Sequence, residues 1–315
     1  IDKIYHRRNP LWHFTVVGRP PQEDSGFGYL IHQLVGPLLP SEFPGIKELH
    51  AVDVAGVHPL LLAIGSERYM PFRQSQPEEI LTQANHLLGS GQTSLAKYLW
   101  IAAADDDPHW STSDIPGFFR HMLERVDWKR DLHFQTRTTI DTLDYSGSGW
   151  NAGSKLVVAV CGEKIRSLAT EIESSLRLPQ TCKTAELIDP GILVVEHKSF
   201  EDYGTTQNEI EELTSTLEKQ NMSGFPLIVL VDDATFVSRN YENFLWVTFT
   251  RSNPSHDIYG VESFFENKHW GCRGPLIIDA RIKPHHAPVL EVDRETTLKV
   301  DQLFAKGGSL HGLGT

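Results

Sequence analysis

The chain has 315 residues, 40% of them hydrophobic and 22% charged, a composition that can bury a core and leaves room for two domains of ordinary size. Its net charge of −12 works against nucleic acid and against an anionic membrane surface, because both are held by clustered Lys and Arg. Cys161, Cys182 and Cys272 are too scattered for a disulfide framework or a zinc knuckle, and no apolar run approaches the roughly 20 residues of a membrane-crossing helix, so a cytoplasmic location is expected.

The opening IDKIYHRRNP has no Met and no signal-peptide core, and reads as the interior of a longer polypeptide. Residues 3–18 alternate as one or two strands, with WHFTVV the clearest. GRPPQEDS (18–25) is stiffened by Pro20 and Pro21, and it serves equally as a ligand-closing loop or a solvated linker. FGYLIHQLVGPLLP (27–40) has helical spacing of Phe27, Leu30, Ile31, Leu34, Val35 and Leu38. Strands follow at 58–65, 97–104, 154–162, 191–199 and 225–233, and helices at 77–89, 115–126, 165–176 and 207–221. Near-continuous β-branched runs separated by helices predict parallel strands buried on both faces, an α/β body. SGSGWNAGS (146–154) is the candidate boundary, and KGGSLHGLGT the frayed tail.

One internal repeat runs through this body. YLWIAAADDDPHWS (98–111) lies on FPLIVLVDDATFVS (225–238), pairing Asp105 and Asp106 with Asp232 and Asp233. After a one-residue gap, Phe118, Arg125 and Asp131 pair with Phe244, Arg251 and Asp257. The shared unit is a strand, an acidic loop, a helix ending in Arg, and an Asp beyond it.

The repeat weighs against Asp105–Asp107 as a Mg²⁺ site. A second acidic pair has no catalytic reason, whereas a carboxylate after a strand can take the unpaired N–H groups of the next helix. No GxxxxGK[ST] or GxGxxG loop is present to hold a phosphate beside a metal. His269 with Cys272, and His285 with His286, lack a second pair at zinc spacing. Cys161 ends an apolar strand and reads as a small buried hydrophobe before it reads as a nucleophile. GSGQTS (89–94) is equally a phosphate cradle or a helix C-cap at Gly89.

IYHRRNPLWHFTVVGRPPQEDS resembles the end of the middle domain of UbiD-type decarboxylases, where a strand enters a G-[KR]-P-P-x-E loop. FPGIKELHAVDVAGVHPLLLAIG and KYLWIAAADDDPHWSTSDIPGFFRHMLERVDWKRDL are similar to the family's following segments, and TRSNPSHD (250–257) keeps its TR-x-x-P-x-x-D ending. The resemblance implies non-oxidative decarboxylation of a small aromatic or α,β-unsaturated acid on prenylated FMN, whose ylide ring accepts electrons as CO₂ leaves. It also implies a divalent metal and K⁺ at the cofactor, a homo-oligomer (dimer or hexamer), and a flavin prenyltransferase as cofactor supplier.

The family's catalytic Arg and Glu, its E-G-P-x-G-[ED] motif and its metal ligands lie upstream of the matching stretch. No E-G-P-x-G occurs here, so no catalytic residue and no metal ligand is expected in this chain. By resemblance, Ser90, Gly91 and Gln92 approach the cofactor phosphate, with Gln92 near the place of a family Lys and unable to neutralise charge. Arg19, Pro21, Gln22, Glu23, Leu132 and Phe134 are the substrate candidates, with Arg125 nearby.

The expected architecture is thus α/β and internally duplicated. Residues 1–25 end a split-barrel-like cofactor domain, 26–45 form a linker helix, and 46–148 and 149–293 form two α/β units of mostly parallel sheet flanked by helices. Residues 294–315 form a C-terminal helix and tail. The expected role is oligomerisation and closure of the active-site cleft. The alternatives are a non-catalytic assembly module and a Mg²⁺-dependent phosphotransfer enzyme using Asp105–Asp107.

Overall fold

The computed structural model describes residues 2–8, 18–20, 25–67, 72, 75–107 and 109–313. Residues 2–8 form no regular element, and WHFTVV lies outside the described residues. Helix α1 (Ser25–Val35) passes through a 3₁₀ turn at Gly36–Leu38 into the short α2 (Leu39–Glu42). The first unit then runs β1 (Glu48–Ala51), β2 (Leu60–Gly65), α3 (Glu79–Leu88), β3 (Tyr98–Ala103), α4 (Ile115–Arg125), β4 (Leu132–Thr139) and β5 (Ala152–Val160). The second runs β6 (Cys182–Asp189), β7 (Ile192–His197), α5 (Tyr203–Leu217), β8 (Leu227–Val231), α6 (Ala234–Ser238), α7 (Tyr241–Thr250), α8 (Pro254–Asp257) and β9 (Ile258–Gly260). A hairpin of β10 (Ser263–Glu266) and β11 (His269–Cys272), then β12 (Leu276–Asp279), complete it, and α9 (Arg294–Phe304) follows.

The two sheets have one topology. Their orders are β1-β2-β3-β5-β4 and β6-β7-β8-β12-β9, each with three parallel central strands and an antiparallel strand at either edge. The repeat extends to single hydrogen bonds. Asp131 accepts the N–H of Asp127 at 2.8 Å, and Asp257 accepts that of Asn253 at 2.7 Å. Both Asp residues pin the turn that leads from the Arg-ending helix into the edge strand.

The packing is shared. One face of each sheet meets its own helix: Leu61, Leu99 and Val157 face α3, and Leu193, Ile228 and Ile277 face α5. The opposite faces (Leu62, Trp100 and Val158; Val194, Val229 and Ile278) join a single core with Phe118, Phe119 and Met122 of α4 and Phe244, Val247 and Phe249 of α7. The polar contacts across it come in reciprocal pairs. Just after α4, the Trp128 indole donates to the Pro226 carbonyl at 2.8 Å, and the Trp128 carbonyl accepts from Cys272 N–H at 3.3 Å. Just after α7, Ser252 bonds the Tyr98 hydroxyl at 2.7 Å, and Asn253 accepts the Ser154 N–H at 3.1 Å. Equivalent helix ends thus reach the heads of equivalent central strands, β8 and β3, while their second bonds go to the β11 hairpin strand and to β5.

Two expectations change. SGSGWNAGS joins β4 to β5 inside the first sheet, so the chain leaves that sheet only after Val160 and not at 148. The helix expected at 165–176 is instead an irregular strap. Its apolar residues Leu168, Ala169, Ile172 and Leu176 still pack on the second unit, but its backbone bonds outward: Ile165 N–H to the Glu124 carbonyl, and Ala169 N–H to the Gly224 carbonyl, both at 2.8 Å. Periodicity reported the burial; tertiary hydrogen bonds replaced the helical ones.

Candidate functional site

The acidic loops are the first sites to place. Asp105 accepts the Glu67 N–H at 3.0 Å, Asp106 the Gly162 N–H at 2.9 Å, and Asp107 the His109 N–H at 2.9 Å. In the second copy Asp232 accepts the Ile282 N–H at 2.8 Å, and Asp233 caps α6 through the Phe236 N–H at 2.8 Å. These carboxylates stitch each strand's end to neighbouring loops. Only Asp233 among them is a helix cap of the expected kind; α4 is capped by Asp114, which accepts the Gly117 N–H at 3.0 Å. Among the described residues, no group of three His, Cys, Asp or Glu side chains is placed to hold a metal ion. Burial pushes the Cys161 thiol up to about 12, so at neutral pH it is a protonated core residue.

The residues singled out by resemblance fall in different places. Ser90, Gly91 and Gln92 form a turn into 3₁₀ structure, with Gly91 at φ +45° and both Gly91 and Gln92 exposed. Arg19 stacks its guanidinium 4.3 Å over the Phe236 ring of the second unit. Pro21, Gln22 and Glu23 lie outside the described residues. Leu132 and Phe134 open β4 and line a cavity of about 440 Å³ between β4 and the β10–β11 hairpin. Neither Arg19 nor Ser90–Gln92 lines it. Arg125 is buried, donating to the Gly162 and His121 carbonyls at 3.0 and 3.1 Å, and so holds loops together.

The β4 cavity is built from both copies. Phe134 meets Trp270 edge-on, ring centres 5.7 Å apart, and Phe265 adds a third aromatic wall. Lys268, His133 and His269 line it, and among the described residues no Asp or Glu does. His269 Nε2 donates to the Lys129 carbonyl at 2.9 Å, while His133 Nε2 is buried without a hydrogen-bond partner among the described residues. Burial, then the neighbouring His269 and Arg130, lowers the His133 pKa to about 4, so its ring is neutral at pH 7.

A second cavity, of about 430 Å³, lies where the β4–β5 loop meets Tyr203, Asn253, His256 and His285 of the second unit. Its edge rests on a buried ion pair, Lys97 with Asp144 at 2.7 Å, and Lys97 also donates to Ser146 at 2.6 Å. Deeper in the second unit, Arg281 pairs with Asp279 at 2.7 Å and Glu209 at 2.8 Å, and Lys283 lies 3.3 Å from Asp257. Sequence reasoning missed these buried cations. A Lys inside LAKYLW reads as solvated, and the only hint was its place at the head of a fully apolar strand.

Residues 25–160 match the family of 3-octaprenyl-4-hydroxybenzoate carboxy-lyase C-terminal domains. A protein of Chlamydia trachomatis serovar D is 33% identical over 93% of this chain and 47% of its own length. A 4-hydroxybenzoate decarboxylase subunit from Chlamydia pneumoniae is 32% identical over 95% of this chain and 48% of its own. The chain therefore spans about half the length of the curated relatives it matches. Among solved structures, the open form of the Sedimentibacter hydroxybenzoicus vanillic acid decarboxylase overlays with a TM-score of 0.34 at 14% identity, covering 47% of this chain and 29% of the other. That overlay is too loose to add to the domain match.

Proposed function

We propose, since this chain belongs to the UbiD carboxy-lyase family through its C-terminal domain, that it is the C-terminal part of a cytoplasmic enzyme decarboxylating an aromatic or α,β-unsaturated acid without oxidation. The cofactor of this reading is prenylated FMN, which supplies an electron sink as CO₂ leaves. Ser90, Gly91 and Gln92 would meet its phosphate through backbone N–H groups and a side-chain amide alone, since Gln92 carries no charge to set against it. The flavin, its divalent metal and K⁺ are assigned to the rest of the full-length enzyme, loaded by a flavin prenyltransferase. This chain's part is to join subunits, as a dimer or hexamer, and to close the cleft.

The observation that carries the reading is the inverted helix α1. Its small and polar side, Gly28 against Asp53 and His32 accepting the Ala51 N–H at 3.2 Å, lies on the first unit. Its apolar side (Leu30, Ile31 and Leu34), continued by Leu38 of the 3₁₀ turn, points away, with Leu34 63% exposed. An amphipathic helix is stable in that orientation when another surface covers the apolar stripe. The acidic loops give the phosphotransfer alternative no support, since their carboxylates already accept backbone amides.

The test uses the full-length protein co-produced with a flavin prenyltransferase. Isotopic exchange of CO₂ into a panel of aromatic acids is expected, and Leu34→Asp with Leu38→Asp should abolish assembly and exchange together. Loaded wild-type protein that assembles yet exchanges no substrate of the panel would move the reading to the assembly module.

A further inference from the structure

We infer that the cavity between the β4–β5 loop and the second unit captures a small organic cation of the quaternary ammonium class, against the rings of Tyr145, Trp150 and Tyr203. This goes beyond the carboxy-lyase reading and does not depend on it.

The duplication explains how the cavity arises. The β4–β5 loop takes the place in the first sheet that the β10–β11 hairpin takes between β9 and β12 of the second. Each connection crosses to the other copy, and each carries aromatic side chains. In the hairpin these rings have partners: Trp270 meets Phe134 edge-on, and the Arg273 guanidinium lies 5.0 Å over the Phe264 ring. In the loop they have none. Among the described residues Tyr145 and Trp150 meet no other ring and no cation, and they stand 54% and 80% exposed. Tyr203, at the start of α5, adds a wall from the second unit, with its ring 5.7 Å from that of His256.

The walls select for positive charge. A ring face is the negative side of the aromatic quadrupole, and Trp and Tyr faces set around one space take up quaternary ammonium groups for that reason. The space of about 430 Å³ admits a ligand of that size. No Lys or Arg stands among the described lining residues, so no fixed charge there repels a cation or anchors an anion. The Asp144 carboxylate at the edge is already matched by Lys97 at 2.7 Å, which leaves the ring faces as the source of attraction. His256 and His285 add positive charge only when protonated. The net charge of −12 favours the approach of cations.

The loop that carries two of the rings is fixed. Asn151, at φ +52°, donates its side-chain amide to the Ile140 carbonyl at 3.1 Å and to the Thr142 hydroxyl at 2.7 Å. The Ser148 N–H bonds the Ala152 carbonyl at 2.8 Å, and the Ser146 hydroxyl accepts from the buried Lys97 at 2.6 Å. Rings on such a frame give up little freedom when a ligand binds.

The experiment is calorimetric titration of the whole chain with tetramethylammonium and with choline at pH 8, above the range in which imidazoles ordinarily take up protons. The comparator is 3,3-dimethylbutan-1-ol, which has the shape of choline without its charge. Saturable one-to-one binding of both cations is expected, with a Kd on the order of 1 mM or tighter and about tenfold below that of the alcohol. Trp150→Leu and Tyr145→Leu should each weaken choline about fivefold or more. Both should leave the thermal midpoint unchanged, because both side chains are exposed. Trp150→Phe, which keeps a ring face, should recover part of the loss. Saturation by neither cation, equal binding of the alcohol, or full affinity in the Tyr145→Leu, Trp150→Leu double variant would overturn the inference. Binding is read without turnover, so loss of the carboxy-lyase reading leaves this result standing.

Discussion

At the residue scale, the buried ions dominate. Lys97 and Asp144 are nearly inaccessible, with side chains 1% and 3% exposed, and burial pushes the Lys97 ammonium down against the pull of Asp144. Removing one partner of such a pair strands the other charge. Lys97→Met should therefore cost about 3 kcal/mol in urea unfolding, and adding Asp144→Leu should recover part of it. A double variant no more stable than the single would show that the pair is not the source of the loss. Two histidines set a pH dependence. Burial lowers His133 to about 4 and His286 to about 3, from an ordinary 6.5. Above 6.5 the folded and unfolded chains both hold these rings neutral. Between 6.5 and 4 only the unfolded chain takes up the protons, so stability falls as pH drops through that window. Urea midpoints between pH 7 and 4 should decline for the wild type, and less steeply for His133→Phe. An unchanged slope would remove His133 from the account.

At the element scale, the strap at residues 163–181 is the sharpest test of what holds the fold, because it has no ladder of its own. Arg166 donates to the Leu123 and Val126 carbonyls at 2.7 Å each, satisfying the end of α4. Gly191, at φ +81°, lets Leu168 approach to 2.7 Å from where a Cβ would stand. Arg166→Ala should cost about 2 kcal/mol, as loss of a half-buried charged donor to two carbonyls does. Gly191→Ala should cost at least as much, from left-handed backbone strain plus the clash. Denaturant midpoints would decide, and a neutral Gly191→Ala would mean that the strap moves aside freely. The same elements show what the sequence could reveal. β2, β3, β5, β7 and β8 were legible because both their faces are buried and each carries an unbroken apolar run, such as LVVAV in β5 and ILVV in β7. β4 and β6 were not, because LHFQTRTT and CKTAELID are edge strands whose polar residues face solvent. The acidic repeat was legible, and its bonds to backbone amides fit the reading of it as structural. The β4 cavity was only half legible: Leu132 and Phe134 stood out by resemblance, but nothing in NKHWGCRG announces that a distant hairpin will fold over them.

At the scale of the whole molecule, the duplication has made one body. A chain of this length commonly divides into separate cores, yet here α4 and α7 lie in a single core between the two sheets, and each copy's helix end is bonded into the other's strands. Separating the copies would expose Trp100, Phe119, Phe244 and Phe249 together and leave buried donors without acceptors. Neither copy can then retain its core when the other unfolds. Calorimetry of the chain should show one transition with calorimetric and van't Hoff enthalpies in agreement. Asn253→Ala, which strands the Ser154 N–H and hydroxyl at the junction, should lower that single midpoint by the equivalent of about 2 kcal/mol without splitting it. Two resolved transitions in the wild type would mean that the copies are independent domains in contact. A cavity lined from both sides would then open and close with their separation. One transition means that the two copies stand or fall with their shared core, so both walls of the β4 cavity are lost together on unfolding.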